Sequence, residues 1–314
     1  MKSILYFFVL IPLLFTTPDN QFKTQIFKCN TIPDCNLNDL YFINDQTGWT
    51  VGDKSAILKT VNSGKTWELT NEPGDICYYA VHFVDEHFGW IAGENGMILH
   101  TTDGGKNWNP QNSDTEKWLY EIKFIDPDNG WAVGSGIILH TSDGGTSWKT
   151  QLENSTYGLY SVCFTDVKNG WVVGGNTILH TSDGGEHWIV QKENSPVCLY
   201  SACFVDSLNG CVVGDYGHIL KTTDGGNNWQ LVQSGRTMWL SSVCFCNRNI
   251  GYVAGVLYED LSTKGILLNT KDGGVQWTEE TVSTPLYTSC FGRGKCGWVA
   301  GADGSIYKYL ETPD

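Results

Sequence analysis

The chain has 314 residues, of which 17% are charged, and its formal net charge is −14. This acidic balance excludes a protein that binds nucleic acid through a basic surface, and it argues against adhesion to anionic lipid. Gly, Trp, Tyr and Phe are abundant, whereas runs typical of helices are scarce. The composition therefore favours an all-β protein built from short strands and tight turns.

The first predicted element is a signal peptide over residues 1–17. Lys2 precedes an apolar run from residue 4 to residue 15, which Pro12 interrupts. The run is short for a membrane span and lies where the apolar region of a secretory signal lies. We predict an exported protein that is periplasmic, lumenal or secreted, with an uncleaved anchor as the alternative. Residues 18–314 are predicted to form a single domain.

A short box recurs along this domain with a period of about 40 residues, which indicates one repeated supersecondary unit. Each full copy opens on an aspartate and ends on a tryptophan five residues later, and a weaker copy begins at Asn62. The full copies are Asp103 to Trp108, Asp143 to Trp148, Asp183 to Trp188, Asp224 to Trp229 and Asp272 to Trp277.

Each repeat reads as four short strands. An alternating strand ends in Phe, a turn with Asp or Asn follows, a Gly-Trp pair opens the second strand, the third strand runs into the box, and the box tryptophan begins the fourth. The Gly-Trp position occurs seven times, at Trp49, Trp90, Trp131, Trp171, Cys211, Tyr252 and Trp298. This pattern predicts a seven-bladed β-propeller of four-stranded antiparallel blades.

The seventh blade lacks a box and a fourth strand of its own. Residues 21–28 precede the first blade and are predicted to supply that strand. Closing the ring with this N-terminal strand would leave no exposed sheet edge between the first and last blades.

The residues of the box suit a turn. An aspartate at its start accepts backbone hydrogen bonds, glycine tolerates positive φ, and we expect the tryptophan to bury its ring against the next blade. Equivalent positions on successive blades do not converge on one ion or substrate. We therefore predict structural rather than catalytic or calcium-binding aspartates, and likewise strand histidines rather than metal ligands at His100, His140 and His180.

The box together with Phe-x-Asp-x-x-x-Gly-Trp-x-x-Gly resembles the photosystem II stability and assembly factor family of exported Asp-box, or bacterial neuraminidase repeat, propellers. Thr101, Asp103, Gly105 and Trp108 match the box, and the resemblance covers residues 40 to 310. It implies a non-enzymatic scaffold that binds a membrane-complex subunit, through an arginine patch in photosynthetic members. This chain has three arginines, Arg236, Arg248 and Arg293.

Irregular features concentrate on one predicted face of the propeller, which makes that face the candidate partner-binding site. Trp118 and Trp239 lie outside the repeat positions, and Arg236 precedes Trp239 in its loop. Blade 6 has a long predicted loop over residues 256–264. This loop carries Tyr258, Glu259 and Asp260. Tryptophan and arginine are common binding anchors, so a protein or peptide partner is expected.

Five tyrosines lie four residues before a blade Phe, so strict alternation would place them on its face, in the core or lining the channel. A ring of aromatic side chains that holds a ligand at the channel entrance is the alternative interpretation. They are Tyr79, Tyr120, Tyr160, Tyr200 and Tyr287.

The eleven cysteines permit disulfides in an exported chain. Cys29 with Cys35 and Cys290 with Cys296 are plausible bridges. Those at equivalent repeat positions are predicted to be small buried hydrophobes, since blade-equivalent residues are too far apart to bridge. They are Cys163, Cys203, Cys244 and Cys290.

The main alternative function is carbohydrate binding or glycoside hydrolysis, because sialidases and xyloglucanases also carry Asp-boxes. A hydrolase needs two carboxylates in one cleft, and the sequence shows no such pair outside the repeats. Glycan binding by Trp118 and Trp239 stays open. We expect no enzyme activity, cofactor or metal, and a monomer.

Overall fold

The computed structural model describes residues 11–12, 22–28, 34–72, 74–233, 237–259, 262–292 and 296–311. Alternating hydrophobic strands and glycine-rich turns form seven antiparallel blades around a channel, as the sequence predicts. Six blades contain four strands each. The strands follow sequence order from the channel outwards, except that the outer strand of blade 7 comes from the N-terminal part of the chain. In blade 3 the second and third strands merge into one, Gly130–Thr141.

The strand bounds follow the repeat closely. The innermost strands are Leu37–Phe42, Tyr78–Phe83, Leu119–Phe124, Ser161–Phe164, Leu199–Phe204, Met238–Phe245 and Leu286–Phe291. The second strands are Gly48–Gly52, Gly89–Gly93, Gly170–Gly174, Gly210–Gly214, Gly251–Glu259 and Cys296–Gly301. The third strands are Ile57–Thr60, Ile98–Thr101, Thr177–Thr181, His218–Thr222, Ser262–Thr270 and Ser305–Glu311. The outer strands are Glu68–Leu69, Asn109–Gln111, Lys149–Gly158, Ile189–Lys192, Gln230–Gln233, Thr278–Val282 and Phe22–Lys28.

The N-terminal strand closes the ring, which confirms the predicted closure. Phe22–Lys28 pairs antiparallel with Ser305–Glu311 over its whole length and so becomes the outer strand of blade 7. A two-residue strand, Ile11–Pro12, pairs in parallel with the outer strand of blade 5. Over the described ranges, no helix combines the length and the apolar character needed to cross a membrane.

The Asp-box turns are held by one repeated hydrogen-bond pattern. The Thr101 hydroxyl donates to Asp103 Oδ1 at 2.8 Å, the same oxygen accepts the Asn107 N–H at 3.0 Å, and Thr101 Oγ1 accepts the Gly105 N–H at 2.9 Å. Asn62 makes the equivalent contact with the Thr66 N–H at 2.9 Å, so the weak copy forms the same turn. These bonds explain the spacing of the box.

The blades are joined by stacked aromatic pairs. The Gly-Trp aromatic of one blade lies flat on the Phe of the next, with ring centroids 3.6–3.7 Å apart, at six of the seven interfaces. The box tryptophan instead packs edge-on against the Phe of its own blade, as Trp108 does on Phe83 at 5.8 Å. The expectation that the box tryptophan packs on the next blade is therefore wrong. That role belongs to the Gly-Trp residue, because the second strand lies nearer the neighbouring Phe.

Candidate functional site

Five tyrosines line the channel mouth, and a β-bulge near the start of the innermost strand turns four of them, all but Tyr160, towards it. In six innermost strands the pairing register shifts by one residue, as between Leu119 and Glu121. A bulge leaves one residue unpaired and changes the face that follows it. Leu119, Ile122 and Phe124 consequently share the core, while Tyr120 lines the cavity. The expectation that the tyrosines share the face of the Phe is wrong, and the channel-lining interpretation is confirmed.

The aromatic side chains form a chain of neighbouring rings around this opening. Ring centroids are 5.5 Å apart between Tyr79 and Tyr120, 5.2 Å between Tyr120 and Tyr160, and 5.4 Å between Tyr160 and Tyr200. Asn38 completes the circle on blade 1. We call this set the aromatic mouth. It encloses a cavity of about 420 Å³ and comprises Asn38, Tyr79, Tyr120, Tyr160, Tyr200, Trp239 and Tyr287.

Trp239 is part of the aromatic mouth and Trp118 lies at its rim. The Trp239 ring lies 5.6 Å from Tyr200 and 5.9 Å from Tyr287, where it fills the gap left by Ser241. Trp118 is 43% exposed, and its ring lies 6.1 Å from Tyr79. The structure therefore brings the two irregular tryptophans to the same opening.

The predicted long loop of blade 6 is instead an extended hairpin. Its strands stay paired up to Glu259 and Ser262, because alternating residues continue the ladder beyond the repeat length. Tyr258 is half exposed near the tip, and Glu259 forms an ion pair with Lys264 at 2.8 Å. Arg236 and Asp260, the remaining candidate residues, lie outside the described part of the chain.

Carboxylates stand behind the tyrosines of the mouth. The Tyr79 hydroxyl donates to Glu94 Oε1 and the Tyr200 hydroxyl to Asp215 Oδ2, both at 3.2 Å. Asp53 accepts hydrogen bonds from the side chain of Asn38, at 3.2 Å, and from that of Asn36. Burial, followed by the nearby carboxylate charge, raises the pKa of both Tyr79 and Tyr200. The mouth is thus aromatic on its surface and negatively charged behind it.

Deeper in the channel, polar side chains three residues before the Phe link most of the successive blades, whereas blade 2 carries Ala80 there. Ser201 Oγ accepts the Val243 N–H at 3.1 Å and Ser242 Oγ accepts the Ser289 N–H at 3.1 Å. Asp39 is the equivalent residue of blade 1. It accepts the Val81 N–H at 2.9 Å and the hydroxyl of Thr288 at 2.8 Å, so this carboxylate ties blade 1 to blades 2 and 7.

Sequence reasoning missed the charged group inside the channel. Asp39 lies on the innermost strand of blade 1, Glu121 and Lys123 lie two residues apart on that of blade 3, and all three line one cavity below the mouth. The Lys123 ammonium is 3.9 Å from Glu121 Oε1. Burial raises the pKa of Asp39, and it raises that of Glu121 to about 7. A sequence signal for this group exists. When the repeats are aligned, Asp39 and Glu121 are charged residues at a position, three before the Phe, where four other repeats carry Ser or Thr.

The raised pKa of Glu121 predicts a pH-dependent stability. Its folded-state pKa of about 7 exceeds the ordinary 4.5, so the folded chain binds the proton more tightly. The free energy of unfolding should therefore fall as pH rises from 4.5 to 7, by on the order of 2–3 kcal/mol. Glu121→Gln should remove this slope, as measured by urea unfolding of both proteins across that range. A difference between them that stays constant with pH would contradict the prediction.

Four cysteines of the channel act as hydrogen-bond acceptors or small buried groups. Cys163, Cys203 and Cys290 each accept the backbone N–H of the next blade's Phe at 3.3–3.4 Å. Cys290 is a free thiol, so the predicted bridge to Cys296 is wrong, because its side chain points into the channel. Cys29 lies outside the described residues, so its pairing with Cys35 stays a prediction.

The Asp-box aspartates lie at the opposite end of the strands from the mouth. The box of blade 2 contacts the turn that follows the innermost strand, through the Gly104 N–H and the His87 carbonyl at 2.9 Å. The three strand histidines stack on Gly-Trp rings, as His100 does on Trp90 at 4.7 Å. Among the described residues, no group of three or more His, Cys, Asp or Glu is placed to hold a metal ion.

The sequence model of the family described as photosynthesis system II assembly factor YCF48 matches residues 20–112, 107–194 and 190–286. No curated protein sequence matches this chain.

Solved structures share the fold. A structure described as YCF48 bound to D1 peptide is 22% identical, with a TM-score of 0.77 over 96% of this chain and 100% of that one. YCF48 from Cyanidioschyzon merolae is also 22% identical, with a TM-score of 0.72 over 91% and 98%. The WD40 propeller domain of Doa1 is 10% identical, with a TM-score of 0.74 over 93% and 98%.

Proposed function

This chain belongs to the photosynthesis system II assembly factor YCF48 family, and on that premise we propose that it is a non-enzymatic assembly factor that binds a segment of a partner protein at the aromatic mouth. The observation that carries this proposal is the row of half-buried aromatic rings, closed on blade 1 by Asn38, around an open cavity. Such rigid rings bury large areas at small entropic cost. A relative in this family has been solved with a D1 peptide bound, which supports a peptide as the ligand.

The charge of the mouth favours a cationic segment in the partner. Glu94, Asp215 and Asp53 stand directly behind the aromatic surface, and the chain as a whole is acidic. A Lys or Arg side chain placed over a tyrosine face is attracted by the ring and by these carboxylates. The arginine patch implied by resemblance has no counterpart among the described mouth residues, since Arg248 pairs with Asp206 at the other end of the blades.

An assembly factor requires no catalytic group, and the channel carboxylates have another role. Asp39 bonds to the backbone of blade 2, and Glu121 bonds to Ser161 and Val162 of blade 4. The two carboxylates are thus engaged in bonds between blades. This engagement and the family membership favour protein binding over glycan binding or hydrolysis.

We further propose that the protein is exported by the segment over residues 1–17, in keeping with its apolar run. Protease protection of the tagged protein in fractionated host cells tests this proposal. The proposal would be overturned if the tagged protein became sensitive to protease together with cytoplasmic marker proteins and not together with exported ones.

Site-specific photo-cross-linking in the native host tests the binding function. A photoreactive phenylalanine analogue replaces Tyr160 in the mouth, and the control carries it at Val275, which is 54% exposed in the blade 6 box. We expect a discrete protein adduct from position 160 that is absent from position 275. Equal labelling from both positions, or adducts from neither, would contradict binding at the mouth.

A further inference from the structure

One blade interface lacks the aromatic ring that the other six contain. Between blades 5 and 6 the Gly-Trp position holds Cys211, which is 3% exposed. Its neighbour across the interface, Phe245, contacts its own box residue Trp277 edge-on at 6.2 Å, whereas the Phe at every other interface also has a ring stacked on its face. A cysteine side chain does not fill the volume of an indole.

A cavity of about 210 Å³ lies at this interface. Phe245, Cys203 and Cys211 form its inner wall. Polar residues of the neighbouring turns form its outer part, and Arg248 at that end has a side chain that is 68% exposed. The cavity therefore opens at the box end of the blades, away from the aromatic mouth.

The groups that hold an indole at other interfaces are still present around this cavity. The indole N–H of Trp49, Trp90, Trp131 and Trp171 donates to the first glycine carbonyl of the next box at 3.1–3.3 Å. The equivalent glycine in blade 6, Gly273, lines the cavity. A hydrogen-bond acceptor thus stands where an indole N–H would point.

A lysine also stands where it would lie over an aromatic ring bound in this cavity. Lys59 lies over the Trp49 ring and Lys308 over the Trp298 ring, each with its Nζ 5.2 Å from the ring centroid. These lysines pair in register with those tryptophans, as Lys221 does with Cys211. Lys221 lines the cavity. An aromatic ring bound there would gain a cation–π contact.

We propose that this cavity is a binding site for an indole ring. Phe245 provides the stacking face, Gly273 the acceptor for the N–H, and Lys221 the cation over the ring. Buried cavities of roughly 150 Å³ with apolar walls bind single aromatic rings. The selectivity for indole over benzene follows from the carbonyl acceptor, which a ring without a donor would leave unpaired.

Ligand-observed fluorine NMR with 5-fluoroindole and the full chain tests this proposal. For a ligand of this size we expect a dissociation constant on the order of 1 mM or tighter. N-acetyl-tryptophanamide forms a second arm. Binding of 5-fluoroindole alone points to a free ring as the ligand, and binding of both compounds points to a tryptophan side chain.

Cys211→Trp is the matched control, because it supplies the ring found at the equivalent position of the other blades. It should weaken binding of 5-fluoroindole at least about tenfold, and Cys211→Phe serves the same purpose if the tryptophan variant does not fold. Absence of binding to the native chain, or undiminished binding in the filled variant, would overturn the proposal. The site is independent of the aromatic mouth, so either result leaves the proposed function unaffected.

Discussion

Replacing Trp171 with alanine is expected to lower the free energy of unfolding by about 3–5 kcal/mol. The Trp171 side chain is fully buried, its ring stacks on Phe204 at 3.7 Å, and its Nε1 donates to the Gly225 carbonyl at 3.3 Å. Truncation removes the stack and one of the two hydrogen bonds to that carbonyl, which Gln191 Nε2 still reaches at 2.8 Å, and it opens a cavity between blades 4 and 5. Urea unfolding followed by circular dichroism measures the change.

Trp188 provides the matched control within the same blade. This box tryptophan is only half-buried and meets Phe164 edge-on at 6.1 Å, so Trp188→Ala should cost roughly 2 kcal/mol. Ile189→Ala, at a side chain that is 63% exposed, should change stability by less than about 0.5 kcal/mol. If Trp171→Ala cost no more than Trp188→Ala, the stacked pair would not be the main link between blades.

Replacing Trp239 with alanine is expected to weaken binding of the partner recovered from position 160 by about 30-fold or more, equivalent to roughly 2 kcal/mol. Trp239 lies between Tyr200 and Tyr287 in the mouth, and its buried Nε1 has no acceptor among the described residues. Alanine would remove the aromatic contact area that the indole contributes between these two tyrosines. Calorimetric titration of the purified partner segment measures the loss.

Tyr216 is a suitable control on the same face. It is 60% exposed in the turn after the second strand of blade 5 and lies outside the ring of the mouth. Tyr216→Ala should change the affinity less than about threefold, as for most peripheral contacts. Similar losses from both variants would argue against a binding centre at Trp239. Raising the salt concentration should also weaken binding if the partner segment is cationic.

Local signals account for the parts of the fold that were predicted correctly. The hydrogen bonds of the box lie within a few residues, since Asp103 bonds to Asn107 in its own turn. The role of the box in forming this turn can therefore be predicted from the sequence alone. The period and the missing fourth strand of blade 7 together required an N-terminal partner, and Phe22–Lys28 fills that place. Trp118 and Trp239 were identified as candidates because they break a regular repeat.

The parts that were predicted wrongly depend on single-residue register or on contacts between blades. A bulge of one residue moved Tyr120 and its equivalents away from the face of the Phe, and alternation alone cannot reveal where a strand adds a residue. The hairpin of blade 6 looked like a loop because its residues extend past the repeat length. The box tryptophan was assigned the role of joining neighbouring blades, which belongs to the Gly-Trp residue, because both residues recur with the same period along the chain.

The sequence by itself determined the number of blades, the turns and the closure, because these follow from periodic hydrophobicity and from hydrogen bonds within short segments. The tertiary structure alone decided which side chains meet at the channel. It brought Asp39 of blade 1 together with Glu121 and Lys123 of blade 3, and it showed that Cys211 leaves a cavity beside Phe245. Such meetings depend on how separate blades pack around a common axis, and no local pattern encodes the distance between them.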